Sequence, residues 1–264
     1  ILMYLMNKVY INYSDRFHYM SMDAFYSQDK VGIEKINLIE ISKDLNIPKE
    51  TVRRKINFLQ TNEIIIRSGK SIFLNSKGLE IQKPLSTIEN MSSLLSKLSI
   101  YLSAEEWFGK ALEKEDIKKF ITDHFTVSWE YWYRFQIPYL TRHRAFFGDL
   151  ESWNVWASIG LVQIRDLIVA IESEVTRKPG NYQDFYLATL KHKSKQGINA
   201  SSISDISAIP RATVIRKLKT LEKKKLIFRN KKLEYSLGNN REHMRLIGDN
   251  YKTSQRAFSE YCTT

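Results

Sequence analysis

A chain of 264 residues, 43% of them apolar, has room for one large domain or two to three small ones and enough apolar surface to bury a core. Its 41 Lys and Arg against 29 Asp and Glu leave a formal charge of +12, which biases it toward polyanionic partners such as nucleic acid or an anionic membrane surface. The lone Cys262 cannot close an internal disulfide, which excludes a disulfide-stapled scaffold and suits the reducing cytoplasm.

The opening ILMYLMNKVYINY has no cationic stretch ahead of its apolar run and breaks at Asn7 and Lys8, so it is expected to be an N-terminal helix and not a signal peptide. Further along, residues 36–67 lie over 198–229 without a gap, at a spacing of 162, with 13 of 32 pairs identical. Ile41/Ile203, Pro48/Pro210, Thr51/Thr213, Arg54/Arg216 and Leu59/Leu221 are among them. Self-similarity of this kind marks a duplicated unit. In each copy an apolar residue recurs at i, i+4 and i+7 (Val52, Ile56, Leu59; Val214, Leu218, Leu221), which is one buried stripe along a helix. Pro48 and Pro210 suit its first turn, where a missing N–H is harmless. A shorter helix is expected before each, at 39–45 and 202–207, so that each copy reads as a helix-turn-helix. The runs IIIRSGKSIFLN and LIFRNKKLEYSL then predict a β-hairpin with a polar turn at 68–70 and at 230–232.

At ~100° per residue, Arg216 points about 200° from Val214, directly away from the stripe, with Ala212 and Lys223 nearby and Thr213 and Thr220 beside them. The first copy repeats this with Arg54 outward and Thr51 alongside, while Glu50 stands in place of Ala212. These residues resemble the winged-helix domains of bacterial transcriptional regulators of the MarR and IclR type, with IPRATVIRKLKTLEKKKLI similar to a recognition helix and first wing strand. The likeness covers roughly residues 22–77 and 182–237. It implies duplex DNA as partner, with an outward Arg near the start of the second helix placed to reach guanine O6 and N7. Such families usually place Gly just after the recognition helix and carry one such domain per chain. Here Glu63 and Lys225 stand at that place. Asn62 is expected to supply the left-handed cap in the first copy, and the second helix end is expected to differ.

The segment 1–84 holds 13 cations and 9 acids, 85–180 holds 11 and 13, and 181–264 holds 17 and 7, giving +4, −2 and +10. The excess therefore sits in the duplicated units, chiefly the second. Base or near-base contact is expected from Arg216, Thr213, Arg211, Arg54, Thr51 and Lys49, and phosphate contact from Lys217, Lys55, Lys231, Lys232 and Lys70. An acid at Glu50 would read cytosine N4 or orient Arg54.

Between the copies, Ser86 with Glu89 and Ser103 with Glu106 form capping-box patterns. Helices are expected at 115–125, at 127–147 with a bend or break near Pro138, and at 149–175, and a last one at 241–261. Gln163, Arg165 and Asp166 interrupt the longest apolar stretch, so no bilayer span is expected. Residues 125–156 hold eleven aromatics, read first as a helical core or dimer interface. The sharper reading is a small-molecule effector pocket built from Trp129, Trp132, Arg134, Arg142 and Trp153.

The five histidines stand apart without ligand partners at metal spacing, and no phosphate-binding glycine loop or nucleophile motif occurs, so neither metal, cofactor nor catalysis is expected. The expectation is a mainly α, cytoplasmic homodimer with three parts: an N-terminal helix plus first winged helix-turn-helix (1–84), a helical linker or dimerisation region (85–180), and a second winged helix-turn-helix plus C-terminal helix (181–264). Its expected function is sequence-specific binding of double-stranded DNA as a transcriptional regulator. A plasmid-type replication initiator and a winged-helix protein-interaction subunit are the alternatives.

Overall fold

The computed structural model describes residues 1–16, 18–33, 37–69, 71–104, 109–173, 182–191 and 197–238. The C-terminal helix expected at 241–261 and Lys70 lie outside them. In chain order the elements are α1 (Leu2–Asp15), α2 (Met22–Tyr26), β1 (Lys30–Ile33), α3 (Leu38–Asp44), α4 (Lys49–Thr61), β2 (Ile65–Ser68), β3 (Ser71–Asn75), α5 (Ser76–Ile81), α6 (Leu85–Ala104), α7 (Lys114–Asp123), α8 (Phe125–Phe147), α9 (Leu150–Glu172), α10 (Tyr182–Lys191), α11 (Ala200–Ser207), α12 (Arg211–Lys223), β4 (Ile227–Arg229) and β5 (Tyr235–Leu237). The protein is mainly helical with two small antiparallel sheets. It divides into two compact units, residues 1–137 and the described residues from Pro138 onward. The middle segment expected as one linker is thus shared between them, and Pro138 lies inside α8 without ending it.

In the first unit, the apolar stripe of α4 is fully realised: Val52, Ile56 and Leu59 are buried under α3, whose Ile41 meets them. The Asn37 side chain caps α3 by accepting from the Ile39 N–H at 2.9 Å. The hairpin β2–β3 follows, with Ile65 opposite Leu74, and the unforeseen strand β1 pairs on the other edge of β3, with Val31 opposite Leu74 and Ile33 opposite Ile72. Ile72 and Leu74 face the core while Ser71, Phe73 and Asn75 are half-buried, as a period of two requires. α1 closes the unit with Leu5, Met6, Val9 and Tyr10, and is tied to α3 by Tyr4 to Asp44 at 2.5 Å and Lys8 to Glu40 at 2.7 Å.

The second unit repeats this construction. Val214, Leu218 and Leu221 of α12 are buried together with Ile203 of α11, and Asn199 caps α11 by accepting from the Ser201 and Ser202 N–H groups. The hairpin β4–β5 pairs Ile227 with Leu237, and an isolated bridge joins Ile198 to Tyr235. α9 covers α11, α12 and β5. By length and composition α9 is the one helix among the described residues long and apolar enough to cross a bilayer, with Gln163, Arg165 and Asp166 in its course. Within this unit it has polar work to do: the buried Gln163 donates to the Thr189 carbonyl at 3.2 Å and accepts from the Leu237 N–H at 2.5 Å.

The turns of the two copies share two features. Asn46 and Ala208 both take left-handed backbone, at φ 48° and 54°, and Ser42 and Ser204 donate across the turn to the carbonyls of Ile47 and Ile209 at 2.6 and 2.7 Å. Helices α4 and α12 end alike, which corrects the expected difference. Glu63 and Lys225 are themselves left-handed, at φ 57° and 56°, while Asn62 is at −90°. The N–H of Ile64 bonds to Leu59 at 2.9 Å and that of Glu63 to Gln60 at 3.0 Å. Leu226 to Leu221 at 3.0 Å and Lys225 to Glu222 at 2.9 Å repeat the pattern. This is a Schellman closure, in which the apolar residue after the cap packs back on the helix. Ile64 and Leu226 are both buried, so core packing imposes the turn on residues that would otherwise resist it. Gly78 and Gly238 complete the copies, since a Cβ on either would lie 2.3 Å from a backbone carbonyl oxygen.

Two capping assignments also change. The Ile88 N–H bonds to the Pro84 carbonyl, so α6 starts before Ser86, and Glu89 pairs instead with Lys114 and Lys118 of α7. Those lysines, chiefly through their hydrogen bonds, hold the Glu89 carboxyl down at about 2. Ser103 lies within α6.

Candidate functional site

The residues with a shared chemistry are those on the outward faces of α4 and α12 and on the second hairpin. On α12, Arg211, Ala212, Arg216, Lys219, Thr220 and Lys223 are exposed and Thr213 is half-buried. Arg211 donates to Ser201 Oγ at 3.1 Å, which pins the start of α12 to α11. Arg216 has no ion-pair partner among the described residues. Lys231 and Lys232 are exposed at the hairpin tip. That tip is shaped by Asn230, whose Oδ1 accepts from the N–H groups of Lys232 and Glu234, both at 2.9 Å, with Leu233 left-handed at φ 61°.

Lys217 is placed differently from the sequence expectation. Its ammonium sits 2.7 Å from Asp149 and 3.1 Å from Glu151, at the N-terminus of α9, with only 12% of its side chain exposed. Burial works against its charge, but the two carboxylates outweigh that and hold its pKa above the ordinary lysine value. Burial likewise opposes the Asp149 charge, yet Lys217 and the Ser152 N–H hold that carboxyl below its usual range. Lys217 is thus a brace between α12 and α9 rather than a cation presented to solvent.

In the first copy, Lys49, Arg54 and Lys55 are exposed and Thr51 is half-buried. Lys55 lies over the Phe58 ring at 5.9 Å. Glu50 pairs with Arg53 at 2.9 Å and not with Arg54, so its role as an orienter of Arg54 is corrected. Sequence reasoning passed over Asn57 and Thr61, which share the outward face of α4, while Lys219, one of the basic residues along α12, shares the outward face of that helix. The signal was the same spacing of i, i+4, i+7 and i+11 that defines an outward stripe.

The five aromatic and basic residues considered for an effector pocket fall in different units. Trp129 is buried in the first, stacked on Phe125 at 5.1 Å. Trp132 packs on Phe135 at 5.5 Å and Arg134 over Tyr131 at 5.1 Å. In the second unit Trp153 packs edge-on to Tyr139 and His143, and burial first, with Arg142 assisting, pulls the His143 pKa down. Burial also lowers the Arg142 pKa. Most of these aromatics are thus consumed in the core of one unit or the other.

Among the described residues no group of three or more His, Cys, Asp or Glu side chains is placed to hold a metal ion. No protein-family model, curated protein or solved structure matches the chain.

Proposed function

We propose that the protein binds double-stranded DNA through two winged helix-turn-helix units and acts as a transcriptional regulator. The observation that carries this reading is the outward face of α12. Arg216, Lys219 and Lys223 stand exposed along one line of the helix, and Lys231 and Lys232 stand exposed at the hairpin tip that follows it. A structural surface has no need of five like charges on a helix and the hairpin that follows it, whereas a phosphate backbone neutralises them. The repeated helix pair and hairpin support the winged-helix assignment, because every buried position of α4 has its buried counterpart in α12. Arg54 and Arg216 occupy the position from which such a helix reaches a major groove.

A homodimer remains part of the proposal on new grounds. With the aromatics largely occupied internally, the surface offered to a partner is the exposed face of α9 that carries Leu161, Ile168 and Val169, with Arg165 among them.

Footprinting on duplexes selected from a random pool tests the function. A protected site near promoters supports the regulator, and protection confined to tandem repeats of a replication origin would favour the initiator. Absence of any shifted duplex, with a protein partner retained by α4 or α12, would replace DNA binding by protein interaction.

A further inference from the structure

The two outward stripes differ at three of their four positions. On α12 the positions i, i+4, i+7 and i+11 hold Ala212, Arg216, Lys219 and Lys223, and on α4 they hold Glu50, Arg54, Asn57 and Thr61. All eight are exposed. The α12 stripe therefore carries three cations and no acid, while on the α4 stripe Arg54 is balanced by Glu50. Much of what holds these stripes in place is shared: an equivalent buried triplet, a left-handed residue in the turn before the helix and the same Schellman closure after it. Three of the pairs that differ, Glu50/Ala212, Asn57/Lys219 and Thr61/Lys223, fall on the face that would meet a ligand.

The chemistry of the two faces differs in kind. A lysine ammonium is a hydrated point charge with three donors and no acceptor, which neutralises phosphate whatever bases lie beneath it. An asparagine amide offers one donor and one acceptor side by side, the pattern that adenine N6 and N7 complete, and an arginine fork completes guanine O6 and N7. On α4 these two groups, Arg54 and Asn57, are three residues apart, a rise of about 4.5 Å along the helix, close to the ~3.4 Å step between neighbouring bases. Because Glu50 is engaged by Arg53, the Arg54 guanidinium has no ion-pair partner among the described residues.

We infer that the two copies have divided the work on DNA: the first discriminates base sequence through Arg54 and Asn57, with adenine beside guanine as its target, and the second grips the phosphate backbone through Lys219 and Lys223 with the tip lysines Lys231 and Lys232. This rests on duplex DNA being the ligand. Arg216 then stands as one arginine among lysines and contributes more to holding than to reading.

The test compares affinity for a duplex selected from a random pool with affinity for its scrambled sequence, at fixed and then varied salt. Asn57→Ala is expected to lower the ratio of selected to scrambled affinity by roughly tenfold or more, leaving scrambled affinity nearly unchanged. Lys219→Ala with Lys223→Ala is expected to weaken both duplexes equally and to flatten the slope of log affinity against log salt by about 2. All three side chains are exposed, and a thermal melt of each variant verifies that it folds. A ratio that survives Asn57→Ala but collapses with the lysine pair, or a wild-type protein that binds both duplexes equally, overturns the division of labour while DNA binding stands. A wild-type protein that binds neither duplex overturns the DNA reading itself, and the division with it.

Discussion

Lys217 is where sequence and structure assign opposite roles to one side chain, and replacing it by Met separates them. Its carboxylate pairs, at 2.7 and 3.1 Å, would be worth about 5–6 kcal/mol each at an effective dielectric near 20, before any desolvation cost. Asp149 and Glu151 are 46% and 56% exposed, so water screens most of that, and the net worth of the brace is about 1 kcal/mol. Methionine keeps the apolar stem in place, and both carboxylates retain the favourable N-terminus of α9. Lys217→Met should therefore lower the melting temperature by roughly 4–8 °C, the shift that ~1 kcal/mol produces in a domain of this size. Asp149→Asn, which preserves the N-cap, should cost a similar amount, and the double variant little more, giving a coupling of about 1 kcal/mol. Duplex affinity and its salt slope should not change, whereas Lys219→Met should flatten the slope by about 0.9 without altering the melt. An unchanged melt together with a flattened slope for Lys217→Met would refute the brace and return Lys217 to the phosphate.

Three other outcomes follow from particular geometries. Lys225→Gly and Glu63→Gly, at φ 56° and 57°, relieve a left-handed cost of about 1–2 kcal/mol against an entropic loss of ~0.5–1. Each should raise stability by up to about 1 kcal/mol in chemical denaturation, and a loss would show that the side chain contributes more than the strain. His143 is held neutral because burial depresses its pKa below 6.5, so the unfolded state binds its proton first. Its contribution should be constant above about pH 6.5 and fall as pH drops toward the folded-state pKa, and His143→Gln should flatten that part of the stability profile. Sedimentation at micromolar concentration should give a dimer that Leu161→Asp with Val169→Asp converts to monomer, and a wild-type monomer would remove the homodimer.

Much of the repeated architecture was legible because it depends on local rules. The stripe Val214, Leu218 and Leu221 follows from periodicity, whereas the helix caps at Asn37 and Asn199 emerge only in the structure. What escaped depends on distant chain. The Lys217 brace uses carboxylates at 149 and 151, far upstream, and no spacing announces it. Glu63 and Lys225 accept left-handed backbone only because Ile64 and Leu226 are drawn into the core. β1 is a four-residue strand whose pairing with β3 exists only in the folded unit. Glu89 matched a capping box and was claimed instead by two lysines of α7. For the candidate site, the outward direction of Arg54 and Arg216 was legible from helical geometry, whereas the partner of Glu50 depended on a choice between neighbours that periodicity does not make.

The central claim, that the exposed cations of α12 and its hairpin serve a nucleic-acid backbone, is tested most directly by titrating binding to a random-sequence duplex between about 50 and 200 mM salt. Five exposed cations, Arg216, Lys219, Lys223, Lys231 and Lys232, predict a slope of log affinity against log salt near −4.5 if each neutralises one phosphate. Glutamate at Lys231 and Lys232 should reduce both affinity and slope. Binding that is undetectable at ~50 mM salt, or that holds constant across the titration, would contradict it.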